Sequence, residues 1–125
     1  IKYFEEQGIP ILLHNCGYSN NFLHLYAQMD MTALESLAPH PTGDVDLKHA
    51  KKIIGDRIVL VGNIDQDHLL RLGNKEEIER VVIDTINAGK EGGKFILSTT
   101  DELYDDTPME NIKIISEIAH EYGNY

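Results

Sequence analysis

One cysteine, no tryptophan and about half as many basic as acidic residues set the first limits on this chain. The lone thiol, Cys16, excludes an internal disulfide and suits a reducing, cytoplasmic setting. Eleven Lys and Arg against 21 Asp and Glu give a formal charge of −10. Such a balance disfavours nucleic acid and anionic membranes as partners, since both require a basic surface. No apolar run approaches the ~18 residues of a spanning helix, and no signal-peptide pattern opens the chain. Low-complexity tracts and dividing linkers are also missing. What is present is 125 residues, 42% of them hydrophobic, enough for one domain that buries roughly two-thirds of its unfolded surface. The chain does not start with Met. Its first seven residues read as the last two turns of a helix stopped by Gly8, so a C-terminal piece of a longer polypeptide is expected.

Four times an apolar, β-type run ends in polar, chemically capable side chains. Ile9–Leu13 leads into His14-Asn15-Cys16-Gly17, and Thr32–Leu34 into Glu35-Ser36. Arg57–Val61 leads into Gly62-Asn63-Ile64-Asp65, and Phe95–Leu97 into Ser98-Thr99-Thr100-Asp101-Glu102. Helical patterns fill the gaps. Asp44 is placed to cap a helix ending at Ile54, with Leu47, Ala50 and Ile54 inward. Asn74 with Glu77 forms a capping-box pattern opening a helix to Ala88, with Ile78, Val81, Val82 and Ile86 inward. Thr107-Pro108-Met109-Glu110 starts a last helix running to Tyr122 that buries Ile112, Ile115, Ile118 and Ala119. Shorter helices are expected over Asn21–Met29 and Gln66–Leu72.

Strands near 9–14, 32–37, 57–62 and 94–98, each followed by a helix, make an α/β chain of (βα)4 form. Connections of this length imply parallel pairing through right-handed crossovers. A doubly wound sheet and half of a TIM barrel both satisfy the pattern, and the half-barrel accounts better for the abrupt beginning. It carries a liability: unpaired edge strands and an uncovered inner face. Such a piece should self-associate or need its missing N-terminal half. In either architecture, ligands gather where parallel strands finish.

His14 and Cys16 are two apart on an extended segment, so imidazole and thiol point to one side. That pair suits Zn²⁺, and a catalytic zinc needs a third protein ligand plus an open position. Asp101 and Glu35, from other strand ends, are the candidate oxygen donors. Both also read as ordinary solvated acids. Asn63 and Asp65 share a face and are expected to carry catalytic or pocket-shaping roles, unless Asn63 caps a turn and Asp65 the next helix. Gly62 allows close backbone approach to a ligand, and Tyr18 is a candidate pocket wall. His24, His40, His49, His68 and His120 read as surface residues.

His14-Asn15-Cys16-Gly17, Gly62-Asn63-Ile64-Asp65 and the closing Phe95–Ser98 with Thr107-Pro108-Met109-Glu110-Asn111-Ile112 together resemble the C-terminal half of the uroporphyrinogen decarboxylase superfamily. The resemblance covers essentially the whole chain and implies a TIM barrel. Its H-x-C-G motif is similar to the branch of zinc-dependent, cobalamin-linked methyltransferases. There the resemblance implies that His14 and Cys16 bind zinc, joined by a second Cys after the last strand. It further implies methyl transfer from a corrinoid carried by a partner protein to a small-molecule thiol such as coenzyme M. Here Asp101 stands where that second Cys is expected, giving a harder, more Lewis-acidic donor set. An alternative is metal-free decarboxylation of a porphyrinogen, for which arginine clamps are expected. This chain offers only Arg57, Arg71 and Arg80, none at a strand end. A third expectation is a half-barrel inert until paired.

Overall fold

The structure, a computed structural model, describes residues 1–124. The chain runs through α1 (Lys2–Glu6), β1 (Leu12–Asn15), a 3-10 turn at Asn20–Phe22, α2 (Leu23–Tyr26), β2 (Ala33–Ser36) and α3 (Leu47–Ile54). It continues through β3 (Val59–Ile64), a π-helical turn at Gln66–Arg71, α4 (Lys75–Gly89), β4 (Phe95–Thr99) and α5 (Met109–Tyr122). All strand pairs are parallel and the sheet order is β1-β2-β3-β4. Sequential right-handed crossovers in that order place every helix on one face. This is an α/β fold forming half of a TIM barrel, one of the two architectures that the strand–helix alternation allowed.

On the helix-covered face, Leu34, Leu60 and Phe95 pack with Leu23, Leu47, Ala50 and Ile54. A second cluster joins Ile64, Leu70, Ile78, Val82 and Ile86 to Ile114 and Ile118. On the opposite face the outer strands are uncovered, with Leu12 and Ile96 52% and 54% exposed. No helix is long and apolar enough to cross a membrane among the described residues.

Several local expectations need correction. The α3 cap is Asp46, whose carboxylate accepts from the Lys48 and His49 amides, whereas Asp44 accepts from the Asn20 amide. Two acids two residues apart have equal capping propensity, and the tertiary contact to Asn20 decides between them. At α5 the cap position is Pro108, and the Thr107 hydroxyl has no partner. That helix buries Asn111, Ile114 and Ile118, while Ile112, Ile115 and Ala119 are only half-buried. Its buried stripe is thus rotated toward Asn111, which donates to the Leu70 carbonyl at 2.8 Å. The Asn74–Glu77 capping box forms with both its bonds.

Strand β3 also runs further than its sequence implied, through Gly62 and Asn63 to Ile64. Gly62 sits at φ +143°, and a Cβ there would collide with the Ser36 carbonyl oxygen of β2. Its need for glycine comes from the neighbouring strand rather than from a ligand. Gly62→Ala should destabilise the fold by about 1–3 kcal/mol, read as a lower urea midpoint with unchanged m-value.

Candidate metal centre

All four strands deliver their carboxyl ends to one rim. His14 is the next-to-last residue of β1 and Cys16 comes directly after its end, while Asp101 follows β4 by two residues. The ligand atoms of His14, Cys16 and Asp101 all lie within 4.8 Å of one another. Tetrahedral zinc bonds of about 2.0–2.3 Å set ligand–ligand separations near 3.5 Å. Small rotations of three exposed side chains close that difference, so the trio fits a zinc ion with one imidazole, one thiolate and one carboxylate.

Glu35 plays a different part. In the parallel register His14 lies directly beside Glu35, and His14 Nδ1 meets Glu35 Oε2 at 2.9 Å. This bond holds the imidazole ring in its orientation. The structure therefore places Glu35 behind the imidazole, outside the trio.

Asp101 is held by its loop. Its Oδ1 accepts from the Glu102 amide at 2.9 Å. Just before it, the Thr100 amide donates to the Ile64 carbonyl at 2.9 Å, and the Thr100 hydroxyl donates to Gln66 Oε1 at 2.5 Å. Further along, Arg71 donates from Nη2 to Asp106 at 2.8 Å, bonds Asp67 at 3.2 Å and lies over the Tyr104 ring. These contacts fasten the β4–α5 loop to the π-turn. The Arg71 side chain hydrogen-bonding to Asp106 holds that carboxyl below its usual range. A group whose folded value is depressed stabilises above its unfolded value and loses that contribution as pH falls through the folded one. The loop anchor is therefore intact above about pH 4 and weakens below it. Asp106→Asn should flatten the acid limb of the Tyr104 fluorescence titration.

The other expected site residues are not members of the trio. Asp65 is 4% exposed and caps the π-turn through the Asp67 and His68 amides, at 2.8 and 2.7 Å. Its second oxygen accepts from Thr42 Oγ1 at 2.5 Å, and His68 Nδ1 stands 3.4 Å away. The capping alternative describes its contacts. Asn63 is buried within β3 and donates to the Leu37 carbonyl, tying β3 to the positive-φ turn at Ser36 and Leu37. Tyr18 is 69% exposed. Gln66, Arg71, Glu102 and Asp105 were not singled out from the sequence as site residues. The available signal was their clustering just after polar strand ends.

Half of a TIM barrel with a polar cluster at its carboxyl rim defines the class, and comparison with known proteins narrows it. The sequence profile of the uroporphyrinogen decarboxylase (URO-D) family matches residues 1–122. The chain belongs to that family. It is 32% identical over 121 residues to the methylcobamide:CoM methyltransferase MtaA of Methanosarcina barkeri, covering 97% of this chain and 33% of the relative. It is 28% identical over 120 residues to the uroporphyrinogen decarboxylase of Psychromonas ingrahamii, covering 96% and 32%. A methyltransferase structure from Methanosarcina mazei superposes with a TM-score of 0.79 at 24% identity, covering 98% and 34%, and carries the fold. The chain thus spans about a third of the length of these relatives.

Glu35→Gln should lower zinc affinity about 10–100-fold, measured by competition with a chromophoric chelator. Glu35→Asp should recover part of the loss if orientation of the imidazole is the cause.

Proposed function

We propose that this chain forms the C-terminal half of the barrel of a zinc-dependent methyltransferase that moves a methyl group from a corrinoid carried by a partner protein to a thiol acceptor. The observation that carries the proposal is the convergence of His14, Cys16 and Asp101 within 4.8 Å from opposite edges of the sheet. Similarity to a methylcobamide:CoM methyltransferase over 97% of the chain supports it.

In this reading His14 Nε2, Cys16 Sγ and one Asp101 oxygen hold the metal, and the fourth position is left to the acceptor. Zinc bound there supplies Lewis acidity that keeps a thiol deprotonated yet nucleophilic at neutral pH. Glu35 accepts the Nδ1 proton of His14 and keeps the imidazole in the ligating tautomer. The Thr100–Gln66 bond and the Arg71–Asp106 pair fix the loop that presents Asp101. One thiolate and one carboxylate neutralise a divalent ion, the same charge balance that two thiolates provide. The oxygen donor makes the centre harder. Four further βα units, upstream in the same polypeptide, complete the barrel and cover the outer strands at Leu12 and Ile96.

Metal-free decarboxylation has weaker support in the positions of the arginines. Arg57 donates to the Ala27 carbonyl, Arg71 is taken by two carboxylates, and Arg80 pairs with Asp84. None is free to clamp a substrate carboxylate at the rim.

The full-length protein should contain one zinc per chain by elemental analysis. His14→Ala and Cys16→Ala should each remove the metal and lower methyl transfer to a thiol by at least about a hundredfold, on the order of 3 kcal/mol in the barrier. Unchanged transfer in both variants would rule the zinc reading out.

A further inference from the structure

Acids outnumber bases by 21 to 11 in this chain, and α4 sets both of its cations against an acid one turn on, Lys75 with Glu79 and Arg80 with Asp84. Helix α3 does the opposite. Lys51 and Lys52 follow Lys48 at three and four residues, so the three side chains share one side of the helix. Among the described residues none of them makes an ion pair. Like charges at these spacings repel and weaken a helix. Lys51 and Lys52 lie in the last turn, where the helix dipole favours a cation, but Lys48 lies in the first turn, where the dipole opposes one. Helix energetics therefore give no reason for Lys48.

A groove of about 310 Å³ between α3 and α4 supplies one. It is lined by Lys48, Lys51, Lys52, Asn87, Ala88 and Glu91. Lys51 is the most buried of the three lysines, and its ammonium donates to the Gly93 carbonyl at 2.6 Å, which holds it in place. Burial lowers that ammonium below its usual range; Glu91 acts the other way, and Lys94 adds to the lowering. A positive charge that is half-buried, fixed and crowded by another lysine gains from an anion beside it.

We propose that this groove binds a phosphate-type oxyanion through the ammonium groups of Lys48, Lys51 and Lys52 and the Asn87 amide. The ligand class follows from the donors. Ammonium groups are point charges without the planar fork that matches a carboxylate, and lysine is a regular partner of phosphate. Glu91 cancels one of the three positive charges, and the two that remain favour a dianion over a monoanion. The groove shares no residue with the metal trio, so it stands or falls apart from the zinc reading.

The test titrates full-length protein with inorganic phosphate and with acetate by calorimetry at low ionic strength. Phosphate should bind at one site per chain, with acetate at least about tenfold weaker, and its affinity should fall as salt rises. Phosphate should also raise the melting temperature of the parent protein. Lys48→Gln combined with Lys52→Gln should weaken phosphate by at least about tenfold and abolish that rise, while zinc content and the circular dichroism spectrum match the parent. Lys113→Gln, at an exposed lysine of α5 outside the groove, should leave binding as it was. Acetate binding as tightly as phosphate, a double variant that binds phosphate like the parent, or an equal loss in Lys113→Gln overturns the proposal.

Discussion

The meeting of the two outer strands at one rim is the constraint on which the rest depends. Neighbouring strands stand about 4.8 Å apart, so β1 and β4 of a flat four-stranded sheet would be separated by about 14 Å. Yet ligand atoms that follow β1 and β4 lie within 4.8 Å of one another. Sheet curvature and an inward-leaning β4–α5 loop close that distance together. The loop is not free to choose its course. It is fastened by the Thr100 bonds to Ile64 and Gln66, by the Arg71–Asp106 pair, and by Asn111 on the Leu70 carbonyl. All of these partners belong to β3 or to the π-turn beyond it. The short segment after β3 is therefore the bracket on which Asp101 hangs.

That dependence gives the buried polar residues of β3 a structural meaning. Asp65 satisfies two amides and a hydroxyl, which uses most of what a carboxylate can accept. An acid so fully engaged and 96% buried is poorly suited to moving protons, and well suited to fixing where the π-turn begins. Asn63 and Gly62 do comparable work against β2, the first by bonding the Leu37 carbonyl and the second by yielding room to that of Ser36. The inner strands thus hold geometry while the outer strands present reactive groups. Glu35 is the exception that joins the two roles, since it sits on an inner strand and bonds His14 on an outer one.

Much of the fold was legible because its signals were local. The Asn74–Glu77 box, the inward stripe of α4 and the four β-type runs each depend on residues within a few positions of one another. Their order allowed a doubly wound sheet or a half-barrel, and the family resemblance implied the barrel. What escaped were choices settled by distant contacts. Asp46 rather than Asp44 caps α3 because Asn20 claims the latter, and Gly62 lies inside β3 because β2 crowds it. At the site, the His14–Cys16 pair was readable from period-two spacing, and Asp101 from its place after the last strand. Glu35 was readable as an acid at the rim but not as the partner of His14, because only the β1–β2 register sets the two side by side.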